Sequence, residues 1–568
     1  MAKFISQTNK ALLKKKRRWK PKGRQVDNIA IEEISKIIPI EKIIRDELIE
    51  YLHLIQDKIG ILYYKHLAAL AEIMKIPFSE VYEVATFYAH FNVIDNDKIS
   101  PPEVTIRVCE NLTCEIFGAK EILSKLSSLV SKSIKVVAGP CMGRCQNAPT
   151  VCVGKNYIDN ANVEKILKVI NKQDYKAVIN PYVNFESYKK EGGYSILKKF
   201  IKNELSLKDI KTLIEKSSLK GKGGAGFPTF KKWEFVLQNP EPRYLTINAD
   251  EGEVGTFKDR HYLEKDPHRF LEGVLISAKI INAKKVYIYL RDEYPSALEI
   301  LKKEIKELES NKIINNNYII IRRGAGAYIC GEESAMIESI EGKRGLPRHR
   351  PPFVAQVGLF NQPTLVNNVE TVYWLRDIIE KGDEWYSKQG KNGRKGFHSF
   401  SVSGRVNNPG VKIAPAGITV QELIDDYSGG MIKGHNFKAY LPGGASGGIL
   451  PSSLNNIPLD YGVKDLDDEG CFLGSAAIVI LSDKDKMKDV GLNLLRFFEE
   501  ESCGQCTPCR VGTEKTVKEM QKDNWSKSKL KDLSIVMSDA SICGLGQAAT
   551  NPLNSIIKHF AEELKLDE

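Results

Sequence analysis

Four cysteines near the C-terminus have the spacing of an iron–sulfur ligand set. Cys503, Cys506 and Cys509 form a C-x2-C-x2-C run, and Cys543 follows 34 residues after Cys509. This spacing lets three thiolates face three irons of one cubane while the remote cysteine binds the fourth corner. Zinc is the alternative, but zinc ribbons usually pair two C-x2-C knuckles. The pattern therefore predicts a [4Fe–4S] cluster, and with it the transfer of single electrons.

A second set of cysteines lies in the first third of the chain. Cys109 and Cys114 form a C-x4-C pair, and Cys141 and Cys145 form a C-x3-C pair that begins 27 residues after Cys114. Two pairs suit a [2Fe–2S] centre with two thiolates per iron. Two disulfides are the alternative, which we disfavour because we expect no signal peptide and a chain of 568 residues has ample core. The remaining three cysteines are predicted to be packing residues: Cys152, Cys330 and Cys471.

Composition is that of a soluble globular protein, with 27% charged and 42% hydrophobic residues. We find no apolar run of about 18 residues that could span a membrane. The first 26 residues carry ten Lys or Arg and no acid, so they account for most of the net charge of +11. We interpret this arm as a disordered tail. A docking arm for an acidic partner and an organellar transit peptide are open alternatives, and nucleic-acid binding is disfavoured.

The N-terminal third predicts a helical bundle followed by a small α/β module. Residues 41–60 have the periodicity of an amphipathic helix that ends at Gly60, and residues 63–75 and 79–91 continue the helical pattern. After Pro101, an alternating strand leads to Cys109, residues 118–130 read as a helix, and a second strand at residues 136–137 leads to Cys141. Residues 176–200 resemble a linker, because Pro181 and a Gly-Gly pair interrupt them.

The rest of the chain predicts a large α/β domain with a covered, mostly parallel sheet. Candidate strands are Tyr244–Asn248, Val286–Leu290 and Tyr318–Ile321. Residues 398–482 predict a small mixed insert, and residues 485–568 turn helical and carry the cubane cysteines.

Four glycine-rich or polar segments follow strands or open helices in this domain. They are Gly221–Thr229, Asn248–Glu253, Arg322–Glu333 and Asn367–Thr371. The first contains G-x-G-x-x-G but follows a helical segment, so it lacks the usual strand–turn–helix context. The second could be an acidic surface loop. Bare backbone amides can approach a phosphate or a flat ring. Together with two clusters, the four segments predict a nucleotide and a flavin, which accepts electron pairs and releases single electrons.

These residues resemble a known family. The segments GKGGAGFPTF with Lys232 and Trp233, NADEGEVGTFKDR, GAGAYICGEESAMIESIEGKRGLP, PTLVNNVET and ESCGQCTPCRVGT resemble the NADH-oxidising flavoprotein subunit of respiratory complex I. Residues 30–175, with EVYEVATFYAHF and the first cysteine set, are similar to the thioredoxin-like [2Fe–2S] subunit that accompanies it. The fusion, DEGEVGTFKDR and the RHRPPF stretch ending at Phe353 most resemble the beta (diaphorase) subunit of NAD-dependent molybdenum- or tungsten-containing formate dehydrogenases.

The resemblance implies that FMN and NAD(H) bind the four segments, with no catalytic side chain beyond them. The implied cofactor-binding residues are Gly221, Gly223, Gly224, Gly226, Phe227, Lys232, Asn248, Asp250, Glu251, Tyr328, Gly331, Glu332, Glu333, Asn367, Asn368 and Thr371. The implied metal ligands are Cys109, Cys114, Cys141, Cys145, Cys503, Cys506, Cys509 and Cys543.

Individual roles also follow from the resemblance. Phe227 would stack near the nicotinamide or adenine end of NAD, with Phe235 and Phe353 assisting. Glu333 would lie beside the adenosine ribose; the alternative is an acid that favours a helix dipole. Family members often carry Arg where this chain has Lys222, and no phosphate-clamping role is assigned there.

The sequence thus predicts a multidomain α/β protein. The predicted parts are a basic disordered arm (1–29), a helical bundle (30–99), a thioredoxin-like [2Fe–2S] domain (100–180), a Rossmann-like FMN/NAD domain (200–397), a β-grasp-like insert (398–482) and a helical [4Fe–4S] domain (483–568).

The predicted function is electron transfer between NAD(H), FMN and the clusters. The expected partner is the molybdenum- or tungsten-containing alpha subunit of a formate dehydrogenase, in the cytoplasm, with neither nucleic acid nor a membrane span. The alternatives are the flavin subunit of an NAD-reducing hydrogenase or of complex I, and a flavin-free electron conduit.

Overall fold

A computed structural model gives the fold of residues 26–95 and 98–567. The predicted basic arm therefore lies, up to residue 25, outside the described residues. Two units divide between Pro101 and Pro102, and each has its own core. In the described ranges, every helix is too short or too polar to cross a membrane.

The N-terminal unit is a small bundle of helices. Its helices are Asn28–Ser35, Leu48–Ile59, Tyr64–Met74 and Phe78–Phe87, and Leu62–Tyr63 pairs in parallel with Val93–Ile94. The prediction of one helix over 41–60 was wrong at its start. Two short 3-10 turns precede Leu48, and Pro39 stands before the first of them. The predicted end is correct, since Gly60 adopts a left-handed φ of 94° after Ile59.

A four-stranded sheet begins the second unit. Its strand order is Ile134–Gly139, Val104–Cys109, Val151–Val153 and Asn156–Ile158, and its helices are Leu112–Ile116, Ala119–Leu129 and Val163–Lys172. The first two strands are parallel, and the other pairs are antiparallel. Cys109 lies opposite Gly139 at the shared carboxyl edge. The two loops that carry the four cysteines therefore leave the sheet from the same edge.

The segment that resembled a linker is part of the following core, so that interpretation was wrong. It forms the helices Phe185–Lys190 and Ser195–Ile201, followed by Leu207–Ser217. Tyr188 is fully buried and donates a hydrogen bond of 2.6 Å to Glu272. Glu272 also accepts from the Tyr194 backbone N–H at 2.9 Å. The Glu272 carboxylate of the large domain thus holds the segment in place.

A four-stranded parallel sheet forms the centre of the large domain. Its strand order is Thr364–Asn368, Arg243–Ala249, Ala283–Leu290 and Ile319–Arg323. The accompanying helices are Thr229–Leu237, Lys258–Lys265, Pro267–Ile280, Pro295–Ser310, Glu333–Ile340, Val369–Tyr373, Leu375–Lys381 and Asp383–Ser387. Asn248 and Asn368 are register partners at the carboxyl edge, where open α/β sheets bind ligands.

The remaining residues form a second sheet and a group of helices. The sheet has the strand order Gly410–Pro415, Phe397–Gly404, Ala477–Ser482, Phe437–Leu441 and Leu450–Pro451. Its helical pieces include Val420–Glu422 and Lys464–Asp468. The C-terminal helices are Met487–Glu500, Thr507–Met520, Lys527–Ala540, Gly544–Ala548 and Asn551–His559, and Trp525–Ser526 pairs with Leu566–Asp567. The predicted multidomain α/β class is confirmed.

Candidate functional site

A cavity of about 580 Å³ opens at the carboxyl edge of the parallel sheet. Its volume falls in the range of ligand pockets, roughly 300–1,000 Å³. Nine of the predicted cofactor-binding residues line it: Gly223, Gly224, Asn248, Asp250, Glu251, Tyr328, Gly331, Glu332 and Asn368. Residues from all four glycine-rich or polar segments therefore contribute to one cavity.

The other predicted residues are not part of the cavity wall. They are Gly221, Gly226, Phe227, Lys232, Glu333, Asn367 and Thr371. Gly221 donates to the Phe227 carbonyl at 2.7 Å, which closes the glycine-rich loop. Gly226 has a φ of 62° and lies against Tyr461, so only glycine fits there. Thr371 accepts from the Lys222 backbone N–H at 2.8 Å and anchors the loop to the neighbouring helix.

Two buried polar atoms in and beside the cavity have no hydrogen-bond partner among the described residues. They are Oδ2 of Asp250 and Nδ2 of Asn367. Burial raises the pKa of Asp250 well above its ordinary value. A buried polar group without a partner is costly, and bound ligands commonly satisfy such groups. The Asp250 carboxyl can accept a hydrogen bond, or donate one when it is protonated, and the Asn367 amide can donate one. These two groups at a strand edge fit a polar, flat cofactor such as a flavin.

A buried lysine fixes positive charge in the cavity wall. Lys258 Nζ lies 2.8 Å from Asp259 and 3.1 Å from Glu370, and these carboxylates raise its pKa despite burial. Asn368 donates to Asp259 at 2.5 Å, which joins this cluster to the strand edge. Sequence reasoning missed Lys258 and Asp259 as site residues. Both stand in the GTFKDR segment, which was used only as a family signature.

In the loop from Asp250 to Thr256, here called the acidic loop, the carboxylates of Glu251 and Glu253 are buried and hydrogen-bonded rather than exposed. Glu251 accepts backbone hydrogen bonds from Asp259 at 2.8 Å and Arg260 at 3.1 Å, and burial raises its pKa to about 7. Glu253 accepts from Ser446 N at 2.7 Å and from the Tyr328 hydroxyl. An acidic surface loop, the alternative interpretation, does not describe this arrangement.

The first four cysteines meet at one edge of their sheet and are all buried. The Sγ atoms of Cys141 and Cys145 are 3.4 Å apart. Hydrogen bonding with Cys114 and Cys141 raises the pKa of the Cys109 thiol, so these three groups are also neighbours. These converging thiols fit the ligand set of a [2Fe–2S] centre.

The acidic loop also contacts this cysteine site. The Gly255 backbone N–H bonds to the Cys141 thiol and lowers its pKa, after the larger effects of Cys109 and Cys145. The buried Arg291 guanidinium donates to the Cys141 carbonyl at 2.7 Å and also to the Glu251 carbonyl. One loop thus lines the cavity on one side and holds cysteine ligands on the other.

The second cysteine set adjoins the cavity from a different side. Cys506 precedes the helix Thr507–Met520, and Cys543 precedes the helix Gly544–Ala548. Burial raises the pKa of the Cys509 thiol, and Cys506, Cys543 and Cys503 lie near enough to raise it further. Residues immediately after Cys543 line the cavity: Gly544, Leu545, Gln547 and Ala548. The thiol donor set fits a [4Fe–4S] cluster, and sequence reasoning missed these wall residues.

An exposed aromatic and charged surface lies outside the cavity. The rings of Phe227 and Phe235 are 6.0 Å apart, and both are partly exposed, as is Phe353. Glu333 pairs with Arg350 at 3.1 Å and with Lys232 at 3.8 Å.

Family comparisons match three parts of the chain. Residues 214–377 match the Nuo51 FMN-binding domain, residues 31–174 the thioredoxin-like [2Fe-2S] ferredoxin, and residues 489–566 the NADH-ubiquinone oxidoreductase-F iron-sulfur binding region. The predicted cofactors are thereby confirmed: FMN, a [2Fe–2S] cluster and a [4Fe–4S] cluster, with NAD as substrate.

Individual relatives agree with these matches. One of the NADH-quinone oxidoreductase F subunits of Rhizobium meliloti (strain 1021) is 39% identical over 392 residues, which are 66% of this chain and 92% of the relative. The corresponding F subunit of Aquifex aeolicus (strain VF5) is 41% identical over 396 residues, 67% of this chain and 90% of the relative. A crystal structure of NAD+-reducing [NiFe]-hydrogenase in the H2-reduced state is 28% identical with a TM-score of 0.79, and the match covers 92% of each chain. The chain belongs to the family of NADH-quinone oxidoreductase F subunits, joined here in one polypeptide to a thioredoxin-like [2Fe–2S] module.

Proposed function

We propose that this chain is the diaphorase subunit of an NAD-dependent formate dehydrogenase, and that it reduces NAD+ with electrons from a molybdenum- or tungsten-containing partner. The family comparisons indicate the general function, which is that of a flavin–iron–sulfur NADH dehydrogenase subunit of the complex I or NAD-reducing hydrogenase type. The formate-oxidising partner is the proposal, and its support is the fused arrangement together with the DEGEVGTFKDR and RHRPPF segments.

One observation supports electron transfer within this chain most strongly. A single cavity contacts the acidic loop, whose Gly255 bonds to Cys141, and the residues that follow Cys543. When bound there, FMN accepts a hydride equivalent and releases single electrons. Residues of this chain would orient the bound cofactor. Asn248 bonds to the Gly331 carbonyl at 2.8 Å and fixes the two loops on either side of the cavity. Lys258 holds positive charge in its wall.

An NAD-reducing hydrogenase subunit is the second candidate function. It is favoured by the solved hydrogenase structure, which matches 92% of this chain, whereas the F-subunit relatives match about two thirds. The partner's substrate distinguishes the two candidates, because NAD(H) is the substrate of this chain in both.

The purified holo-chain is expected to oxidise NADH with ferricyanide as acceptor in the absence of any partner. The hydride site and the flavin site lie in the same domain, so an artificial acceptor can replace the partner. Neither formate nor hydrogen should bleach the flavin until a second subunit is added, and the effective substrate then identifies the partner. Formate oxidation by the isolated chain would overturn the proposed division of labour. A purified chain without a flavin spectrum would favour the flavin-free conduit instead.

Coenzyme preference is expected to depend on Glu333. Glu333→Gln removes a charge that would repel the 2′-phosphate of NADP and frees Lys232 and Arg350 from one of their carboxylate contacts. NADPH oxidation should rise by about tenfold, equivalent to about 1.4 kcal/mol. The measurement is kcat/KM for NADH and NADPH in both proteins.

Glu338→Gln is the matched control for this experiment. Glu338 lies on the same helix and also pairs with an arginine, Arg348, at 2.5 Å. The control should leave the NADH/NADPH preference unchanged. An unchanged preference in Glu333→Gln as well, with only a small fall in Tm, would leave Glu333 as a helix N-terminal acid.

A further inference from the structure

A chain of three buried titratable side chains connects the large cavity to a smaller one. Lys222 lines the large cavity, and Asp460 lines a second cavity of about 310 Å³. His398 lies between them: its Nδ1 is 3.2 Å from Lys222 Nζ, and its Nε2 is 2.9 Å from Asp460 Oδ1. The three residues are 3%, 1% and 5% exposed. A hydrogen-bonded chain of side chains therefore runs from a residue in the wall of one cavity to a residue in the wall of the other.

We propose that Lys222, His398 and Asp460 form a proton relay that moves protons between the flavin cavity and the smaller cavity. The relay deepens the proposed function and rests on it, since it serves NADH oxidation in the large cavity. The balance requires such movement: NADH + H⁺ + FMN gives NAD⁺ + FMNH₂, and the return of two electrons to the clusters releases two protons. The relay supplies and removes these protons, and no additional oxidant or reductant takes part.

The hydrogen bonds define how a proton passes. Lys222 as an ammonium has only donors, so His398 Nδ1 accepts, and the Nε2–H then donates to the Asp460 carboxylate. A proton passed from Lys222 to Nδ1 is matched by release of the Nε2 proton to Asp460. The histidine is left in the other tautomer, which is arranged for the reverse transfer. The relay therefore operates in both directions, as redox cycling needs.

Burial lowers the proton affinities of both Lys222 and His398. Burial lowers the pKa of Lys222 to about 8, so at neutral pH it is mainly charged yet can release its proton. Burial and nearby Lys222 lower the pKa of His398 to about 4. Both shifts favour release of the proton from Lys222 and keep His398 neutral, and therefore able to accept a proton, at neutral pH.

Charged groups around the relay come from several packed elements. Glu370 raises the pKa of Lys222, whereas Lys258 and Lys220 lower it. At the outer end, Asp460 lies 3.9 Å from Lys220 Nζ and from Arg394, two partly exposed side chains. Burial raises the pKa of Asp460, but the His398 hydrogen bond and, to a smaller extent, Lys220 outweigh it and hold this pKa below its ordinary value. The outer end thus stays ionised and able to accept a proton.

The identity of residue 222 matters for this proposal. An arginine keeps its proton at any physiological pH, whereas a buried lysine can exchange one. Lys222 Nζ also donates to the Phe397 carbonyl at 2.6 Å, so the lysine has an anchor that does not involve His398. A purely structural role, in which the three residues hold the second sheet on the flavin domain, is the competing explanation.

Proton uptake and flavin bleaching can be followed together in one experiment. The full-length holo-chain is mixed anaerobically with NADH in weak buffer containing a pH indicator, and flavin absorbance and indicator colour are recorded by stopped flow. In the unaltered chain, uptake should keep pace with bleaching. In His398→Gln, which can bridge the same neighbours but does not titrate, uptake should lag bleaching by about tenfold or more, and imidazole should restore it. Lys222→Arg should show the same lag.

His268→Gln is the matched control. His268 is a buried histidine in a separate network, bonded to Tyr194 and Glu304 at 2.7 Å each, and its substitution should leave uptake in step with bleaching. If either His398→Gln or Lys222→Arg loses FMN, proton uptake is compared with bleaching in the other variant and in Asp460→Asn. Uptake in step with bleaching in every relay variant that keeps FMN overturns the relay, even where Tm falls. Absence of any bleaching by NADH in the unaltered holo-chain would contradict the proposed function instead.

Discussion

Cys506→Ala is expected to remove the EPR signal of the [4Fe–4S] cluster and to leave the [2Fe–2S] signal intact. Cys506 belongs to the group with Cys503, Cys509 and Cys543, and this group shares no ligand with the other set. A [4Fe–4S] cubane is held by four thiolates, so we expect the variant not to retain the cluster. NADH should still bleach the flavin, because hydride transfer precedes the cluster.

The matched control for this variant is Cys471→Ala. Cys471 is buried and lies outside both ligand sets, so both EPR signals should persist after its substitution. Iron analysis gives a second readout: the Cys506 variant should lose about four irons per chain, and the control none. Survival of both signals in Cys506→Ala would show that the cubane assignment is wrong.

Arg291→Leu should lower the free energy of unfolding by about 3–5 kcal/mol, because it leaves buried partners without their cation. Arg291 lies 3.1 Å from Glu293 and donates to the carbonyls of Cys141 and Glu251. The same change should disturb the [2Fe–2S] centre, since the cysteine loop loses its tie to the flavin domain. Denaturant unfolding and the line shape of the [2Fe–2S] EPR signal are the measurements.

Two variants separate these effects. Arg291→Lys keeps the charge but loses the planar fork that reaches both carbonyls, so stability should recover more than the EPR spectrum does. Arg269→Leu breaks a different ion pair, with Asp377 at 2.6 Å, and should destabilise the domain without altering the cluster signal. An unchanged [2Fe–2S] spectrum in Arg291→Leu would contradict the role given to Arg291.

Features set by local spacing were predictable from the sequence. The two cysteine sets have diagnostic spacing, and the β-branched runs at Tyr244–Asn248 and Val286–Leu290 correspond to strands Arg243–Ala249 and Ala283–Leu290. The four glycine-rich or polar segments could likewise be placed at the ends of strands or helices, because they adjoin runs with a clear periodicity. Their meeting in one cavity follows from the parallel register, which brings the carboxyl ends of neighbouring strands to a single edge.

Features that depend on distant partners were not predictable. The segment from Phe185 to Ile201 looked like a linker because its proline and glycines break periodicity, and its anchor Glu272 lies 84 residues beyond Tyr188. Likewise, Ser446 contacts Glu253 from 193 residues away, and Gln547 lines the cavity without any local sign of it. His398 and Lys222 are separated by 176 residues, so only the fold reveals their contact.

The acidic loop is shared by two different cofactor sites, and we expect it to couple their occupancy. Its backbone lines the flavin cavity, and its Gly255 amide bonds to Cys141. If one cofactor orders this loop when it binds, the second cofactor no longer meets that part of the entropy cost. Such coupling is reciprocal by thermodynamic necessity. Flavin should therefore slow the loss of iron from the first cluster, and the assembled cluster should slow the loss of flavin. Preparations of this protein should contain chains that hold both groups or neither, with few that hold only one.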